Sequence, residues 1–460
     1  MVYQKYIPLY HGNQYYIYDC LKQWLYPCSK TVFDFFLSHN SVDIESQKNV
    51  CQEVSDFMQM LSQISHHEQK FLLTYPKVSR DDVIDSLSCV PHIVLELTEK
   101  CNMACTYCCY GNLYKKVFKR KKERKESILL YLKTLIGLRN QYNIKSDLRL
   151  TFYGGEPLLR FDIIKECVEL TNLLLPDVTV TFGMTTNGVL LHLYLDYLVE
   201  HDFFIVISID GDRKNDEYRL MRNGKESFFL VVKNIEKIYQ NYQEYFKNRV
   251  TFSTVLHHKS SYIDATKFFS RWNKIPLFSS ISSSNAKKPS ALYKKVCQQH
   301  RYSNDEIENY RKNFPDISES IFPTQNRKIS AWSESAPEDV NGFYEIQNEE
   351  KYIYPGKSCF LFSSRVFITI DGKIYLCEKS SRKFLFGRIT EKGFIIYQKQ
   401  INGYYDDIVN LYNKICPLCY KSCSCSKCFF SDSEEIVTQE CVCLKEQAIR
   451  EINNIINTNK

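Results

Sequence analysis

The sequence lacks any apolar run near the roughly 18 residues that a membrane helix needs, so no spanning anchor is expected. Its first residues, Met1 to Leu9, lack the apolar stretch and small-residue cleavage site of a secretory signal, which makes a cytoplasmic location the expectation. Charge of one sign is lacking as well. The 60 basic and 53 acidic side chains leave a scattered +7, which excludes the dense positive footprint of a nucleic-acid reader. The one basic run, Lys115 to Lys125, reads as a solvated loop and helix start. Glycine is scarce, at 15 residues against 33 Tyr and 29 Phe, and no function follows from that bias. What is abundant is cysteine: 19 residues in a chain with 44% apolar and 25% charged positions, ordinary globular proportions otherwise. In a reducing compartment such thiols point to metal or redox chemistry rather than to a disulfide framework. At 460 residues the chain is long enough for two or three domains.

The thiols begin to cluster at Cys101-Asn102-Met103-Ala104-Cys105-Thr106-Tyr107-Cys108, directly after the strand-like run Ile93 to Leu97. Three thiolates with three and then two residues between them can wrap a 4Fe-4S cubane and leave its fourth iron open. A zinc knuckle is the competing reading of the triplet alone. From Pro91 to Ser283 strand and helix patterns alternate, which predicts parallel strands joined by crossover helices. The strands are expected at Ile93 to Leu97, Leu148 to Tyr153, Val178 to Thr185, Phe203 to Ile209, Val250 to Leu256 and Leu277 to Ser282. Helices are expected between them, including Lys125 to Tyr142, Asp162 to Leu175 and Phe228 to Tyr242. Polar segments follow the second, third and fourth strands: Gly154-Gly155-Glu156-Pro157, Thr185-Thr186-Asn187-Gly188, and Ser208-Ile209-Asp210-Gly211 with Asn215-Asp216 and Arg219.

These segments, in this order, resemble the radical S-adenosylmethionine (SAM) enzymes, whose signature is CxxxCxxC after the first barrel strand with an aromatic before the third Cys, here Tyr107. The resemblance covers about 90 to 283 and implies an α/β fold built on a partial (β/α)6 barrel, with its chemistry at the carboxyl ends of the strands. It also implies a 4Fe-4S cluster on Cys101, Cys105 and Cys108, with SAM on the open iron. One electron would then split SAM to methionine and a 5'-deoxyadenosyl radical that abstracts hydrogen from an unactivated carbon. By the same resemblance Gly154, Gly155 and Glu156 would receive the SAM amino group, and Asn187, Ser208 and Asp210 would line the cofactor site with Tyr107. Arg219 would hold the SAM carboxylate in a two-point fork.

A second field of thiols lies near the C-terminus: Cys359, then Gly372 and Cys377, then Cys416, Cys419, Cys423, Cys425 and Cys428, and finally Cys441 and Cys443. It resembles the SPASM extension, which carries two auxiliary 4Fe-4S clusters. That likeness implies Cys359, Cys377 and Cys428 for one cluster, and Cys416, Cys419 and Cys425 with Cys441 or Cys443 for the other. Cys423 is an extra thiol, and the spacing of Cys425 and Cys428 is one residue shorter than usual in the family. A zinc ribbon is the competing reading of Cys416 to Cys428. Glu378, next to Cys377, stands where sulfatase-maturing relatives have an acidic residue proposed as the base.

The expected domains are therefore 1–88, a small α+β, winged-helix-like unit; 89–283, the partial barrel; 284–350, an insert or linker; and 351–460, the Cys-rich SPASM domain. Three short strands followed by helices at the front match, in layout, the elements that dock a precursor peptide by strand addition. The resemblance as a whole implies a radical SAM/SPASM maturase that forms a thioether (C-S) or C-C cross-link in a ribosomal precursor peptide with a leader segment. Its reductant would be of the flavodoxin or ferredoxin kind, and neither nucleic acid nor membrane is an expected partner. The rival readings are a sulfatase-type maturase that oxidises Cys or Ser to formylglycine, and a non-catalytic peptide-binding scaffold with structural metal sites.

Overall fold

Six strand segments alternate large apolar residues with smaller or polar ones, and in the computed structural model the apolar set turns toward a layer of helices. The structure describes residues 6–11, 14–19, 24–38, 50–64, 77–108, 125–257, 260, 262–280, 360–415 and 429–430. Within them β4 (His92–Thr98), β5 (Leu148–Gly154), β6 (Val180–Thr186), β7 (Phe204–Ser208), β8 (Val250–Leu256) and β9 (Leu277–Ser280) pair in sequence order, all parallel. The crossover helices include α4 (Lys125–Gln141), α5 (Phe161–Leu174), α6 (Leu191–Glu200), α7 (Phe228–Asn241), α8 (Gln243–Arg249) and α9 (Tyr262–Ser270). This is the expected α/β partial barrel, with strand and helix bounds close to those read from the sequence.

The outer faces of the strands make the core. Ile93, Leu95 and Leu97 of β4, Leu150 and Phe152 of β5, and Ile205 and Ile207 of β7 are buried together with Leu132 and Leu135 of α4, Ile164 of α5, Leu195 of α6 and Ile235 of α7. Each such side chain contributes about 1.5–3 kcal/mol by leaving water. The inner faces are different in kind. Thr151, Tyr153, Thr181, Thr185, Val206, Ser208, Thr251, Ser253 and Val255 are partly exposed, so from β5 to β8 the inner wall is not filled with packed layers as in a closed barrel, whereas on β4 Val94 is packed against Phe367 and Tyr375.

The chain before and after the barrel attaches to it in ways that periodicity did not reveal. β1 (Tyr6–His11), β2 (Gln14–Asp19) and β3 (Trp24–Cys28) form a separate antiparallel sheet in the order 1-2-3. It shares a core of Ile17, Tyr26, Val32, Phe36, Val54 and Leu61 with α1 (Lys30–Ser38) and α2 (Gln52–Ile64). By contrast α3 (Arg80–Ser88), which the sequence reading grouped with this unit as part of 1–88, buries Val83, Ile84 and Leu87 in the barrel core. At the other end β10 (Val366–Ile368) pairs parallel to β4, and β11 (Lys373–Tyr375), β12 (Gly387–Thr390) and β13 (Gly393–Ile396) continue antiparallel. The barrel strands and these four thus form one ten-stranded sheet. The helix α10 (Gln398–Ile415) returns to the barrel, where the Asn402 and Gln398 side chains bond the Val78 backbone. Among the described residues no helix is long and apolar enough to cross a membrane. The insert 284–350 lies outside the described residues.

One buried cation holds these layers in register. Arg139 of α4 is fully buried; its Nη1 donates to Val90 O at 2.8 Å and its Nη2 to Ser146 O at 2.6 Å. It thereby satisfies carbonyls on the approaches to both β4 and β5. Removing the guanidinium leaves the Val90 carbonyl buried and unpaired, at about 1–3 kcal/mol, whereas Ser146 is exposed and its carbonyl can turn to water. Arg139→Met is accordingly expected to lower unfolding stability by about 1–3 kcal/mol, read as a fall in the urea midpoint.

Candidate functional site

The thiol loop leaves the carboxyl end of β4 and is fixed on two sides by main-chain hydrogen bonds. Against the segment Tyr218–Arg222, Ala104 N–H donates to Leu220 O at 2.7 Å, Thr106 N–H to Tyr218 O at 3.0 Å, and Arg222 N–H to Asn102 O at 3.2 Å. Met103 and Met221 complete an antiparallel bridge, and Arg222 Nε donates to Cys101 O. On the β5 side, Gly155 N–H donates to Thr98 O at 2.7 Å and Glu156 N–H to Lys100 O at 2.9 Å. A Cβ at position 155 would lie 2.1 Å from Lys100 O, so this glycine is required by the approach of two backbones. The sequence reading gave that glycine to the cofactor; the contact seen here is with the loop itself.

Cys101, Cys105 and Cys108 are half-buried thiols, none in a disulfide. Cys101 Sγ already accepts two hydrogen bonds, from Met103 N–H at 3.4 Å and from Asn187 Nδ2 at 3.5 Å, as suits a sulfur that carries negative charge. Burial pushes the Cys105 thiol up to about 12, and the Arg219 guanidinium acts most strongly the other way. Among the described residues no three ligating side chains are gathered for a single metal ion. A cubane gives each thiolate its own iron and so asks for a wider spread. The donor set, three thiols with N–H groups aimed at sulfur, fits that cluster.

The remaining residues of the site bind one another closely. Glu156 is fully buried: its Oε1 accepts from Thr186 Oγ1 at 2.8 Å and Leu158 N–H at 3.1 Å, and its Oε2 from Asn187 N–H at 2.7 Å. It ties the end of β5 to the end of β6. Asn187 Nδ2 also donates to Asn102 Oδ1 at 2.7 Å, so the third strand reaches the thiol loop directly. From the fourth strand, Asp210 Oδ2 accepts the Tyr107 hydroxyl, while Arg219 Nη1 donates to the Tyr107 oxygen at 3.1 Å and Arg219 Nε lies 3.5 Å from Asp216 Oδ1. Ser208 ends β7 on the partly open inner face. Gly154, Gly155, Glu156, Asn187, Asp210 and Arg219 are thus brought together around the loop.

Sequence reasoning did not single out Asn102, Asp216 or His257 as site residues. His257 follows β8, is buried, bonds Asn215 O through Nε2 at 2.7 Å and stacks on Tyr107 at 6.4 Å. A polar residue directly after a barrel strand was the available signal.

Cys377 and Glu378 lie elsewhere. Tyr375 pairs with Phe367 and Phe367 with Val94, so the residues after Tyr375 run back toward the amino end of β4. β4 has seven residues and spans about 20 Å, with the thiol loop at its far end. Glu378 Oε1 accepts from Arg365 Nη1 at 3.1 Å. Gly372, in the intervening turn, has a φ of 78° and is pressed on Tyr131 of α4, which would lie 2.8 Å from an added Cβ. Cys359, Cys416, Cys419, Cys425, Cys428, Cys441 and Cys443 lie outside the described residues.

A partial parallel barrel with a three-thiol loop at the carboxyl end of its first strand is the architecture of a radical SAM enzyme. The Radical SAM superfamily model matches residues 95–269, and over that stretch the chain carries this family's domain. The chain is similar to a serine-type anaerobic sulfatase-maturating enzyme of Bacteroides thetaiotaomicron, with 31% identity over 143 residues covering 29% of this chain and 33% of that one. It is also similar to the radical SAM cyclopropyl synthase TigE of Paramaledivibacter caminithermalis, with 24% identity over 174 residues covering 36% of this chain and 35% of that one. The matched stretches thus span about a third of these curated relatives. The fold resembles that of native anSMEcpe with bound AdoMet, at a TM-score of 0.54 and 18% identity over 80% of this chain and 99% of that one.

Burial pushes the Glu156 carboxyl up to about 7 against the opposing pull of its three hydrogen bonds, from an ordinary 4.5. An acid whose folded pKa is raised holds its proton more tightly when folded. Its contribution to stability is full below about pH 4.5 and is lost as pH rises through about 7. The stability of wild type minus that of Glu156→Gln, from urea titrations across this window, is expected to fall by on the order of 3 kcal/mol. A difference independent of pH would mean an ionised Glu156 throughout.

Proposed function

We propose that this chain is a radical SAM peptide maturase that forms a thioether or C-C cross-link in a ribosomally made precursor peptide. The observation that carries the reading is the thiol loop at one end of a barrel whose inner face is lined by partly exposed Thr, Ser, Tyr and Val side chains. Such a wall can accept a peptide segment within reach of the loop. The N-terminal antiparallel sheet, with its own core, supports a peptide partner, because an edge strand can receive an extended leader. The two curated relatives, by name a sulfatase-maturating enzyme and a cyclopropyl synthase, support a modifying role.

In this reading Cys101, Cys105 and Cys108 would hold a 4Fe-4S cluster, which with SAM and one electron from an external donor would supply the radical chemistry for hydrogen abstraction from the substrate. The chain's residues hold and shield that chemistry. Asn187 and the Met103 N–H keep Cys101 oriented, and Glu156 fixes Asn187. Gly154, Ser208, Asp210 and Tyr107 border the SAM position. Cys359, Cys377 and Cys428 would hold one auxiliary cluster, and Cys416, Cys419, Cys425 and Cys441 or Cys443 a second. Glu378, held by Arg365 beside Cys377, is the proposed proton acceptor. A flavodoxin or ferredoxin would supply electrons in the cytoplasm.

A sulfatase-type oxidation is the second reading, favoured by the 31% identity to the Bacteroides enzyme. It differs in product: a formylglycine in place of a cross-link.

Anaerobic reconstitution tests the proposal. Wild type is expected to bind about twelve irons and the Cys101, Cys105 and Cys108 triple Ala variant about eight, with reductive SAM cleavage lost in the variant. About four irons in the wild type, with zinc, would remove the auxiliary clusters. Cleavage that survives in the triple variant would remove the reading itself.

A further inference from the structure

Tyr107 of the thiol loop and three side chains beneath it, Asp210, Asp216 and Arg219, meet one another. Tyr107, Asp210, Asp216 and Arg219 are 8%, 0%, 3% and 6% exposed. Tyr107 donates its hydroxyl proton to Asp210 Oδ2 and accepts from Arg219 Nη1 at 3.1 Å. Arg219 Nε faces Asp216 Oδ1 at 3.5 Å, and that same oxygen accepts from Asp210 N–H at 2.9 Å. Asp210 Oδ1 accepts from Val255 N–H at 2.9 Å, which fastens the set to β8. His257, itself bonded to Asn215 O, lies nearly parallel to the Tyr107 ring and covers it.

The main chain shows what this set holds. The two carbonyls that flank Arg219 in sequence, Tyr218 O and Leu220 O, are the acceptors for Thr106 N–H and Ala104 N–H of the thiol loop. Arg219 therefore sits between the two backbone clasps, and its guanidinium meets the side chain of Tyr107, the residue after Thr106. Backbone and side chain grip the same span from two directions. A guanidinium that is 6% exposed, with Nη1 and Nε directed to Tyr107 and Asp216, is turned into the protein. Ionic groups buried in this way add little net stability, and their attested use is to impose one arrangement among several.

We infer that Tyr107, Asp210, Asp216 and Arg219 are positioning residues that lock the thiol loop onto Tyr218–Arg222 and set the arrangement of its three thiols before any cofactor is present. Arg219 thus serves the loop rather than a SAM carboxylate. The lock itself does not depend on the maturase reading; its consequence for a bound cluster rests on that reading.

The test uses full-length Tyr107→Phe and Asp210→Asn. Tyr107→Phe keeps the ring and deletes the hydroxyl, and Asp210→Asn keeps an acceptor and deletes the charge. Backbone hydrogen exchange in peptides covering 101–108 is measured on iron-free protein. After anaerobic reconstitution, the electron paramagnetic resonance spectrum of the reduced cluster is recorded without SAM. Tyr107→Phe is expected to speed exchange in 101–108 about tenfold, the loss of roughly one net hydrogen bond, with protection in α5 and α7 unchanged. Asp210→Asn shifts exchange in the same direction by less. The SAM-free spectrum of Tyr107→Phe is expected to differ from wild type. If Tyr107→Phe does not fold, Asp210→Asn alone decides. Exchange in 101–108 within twofold of wild type in the folded variants overturns the lock. Faster exchange with a protein that takes up no cluster sustains the lock and overturns the maturase reading.

Discussion

A short loop that carries three thiols has few internal bonds, Met103 N–H to Cys101 Sγ and Cys108 N–H to Cys105 O among them, and the structure adds the rest of its hold from outside. The hydrogen bonds of Ala104 and Thr106 to Leu220 and Tyr218, with the contacts of Gly155 and Glu156 on the other flank, convert the loop into an extension of the barrel's edge. Everything near the site follows from this constraint. Gly155 must lack a side chain because Lys100 O occupies the space, and Glu156 must be buried because Asn187 has to be held where it meets Cys101. Neutral buried amides and carbonyls are costly when unpaired, so each of these positions is fixed by the next.

The sheet sets the second constraint. Because β10 joins the outer edge of β4 in parallel and β11 returns beside it, the turn at Gly372 and the residues after Tyr375 lie toward opposite ends of β4. Cys377 is thereby carried to the end away from the thiol loop, with the buried cluster of Val94, Phe367 and Tyr375 along the strands that separate them. The inner wall from β5 to β8 stays open for a reason visible in its composition. Thr, Ser and Val are too small to meet across the barrel, and a six-stranded arc is not closed by strand pairing between β9 and β4.

Much of this was legible in the sequence, and the boundary of legibility is physical. The strands β4 to β8 each pack one face on helices, which writes a period of two into Ile93, Leu95 and Leu97 or Ile205 and Ile207. The polar segments after β5, β6 and β7 were legible because each follows such a run. Strands of three or four residues, as in β10 to β13, are too short to show a period, so their union with the barrel sheet was not legible. Nor was the docking of α3 on the barrel, since its apolar residues Val83, Ile84 and Leu87 would suit either core. The contacts that Glu156, Gly155 and Arg219 make within the protein were not legible for a similar reason: a sequence tells which groups can bond, while the choice of partner is made by tertiary packing.

The charges under the loop follow the same logic. Two carboxylates face one guanidinium in a dry setting, which would leave net negative charge close to thiolates that are themselves negative. Burial pushes both Asp210 and Asp216 up, with Arg219 opposing. Burial works against the Arg219 charge, and Tyr107, Cys105, Asp210 and Asp216 together outweigh it, so the guanidinium is pushed up. The guanidinium set among the two carboxyl groups offsets part of that negative charge. The group can then brace the loop with less repulsion of the charge that the loop exists to carry. A lysine at position 219 would keep the charge but lose the planar fork that meets Tyr107 and Asp216 at once, so geometry rather than charge alone requires arginine there.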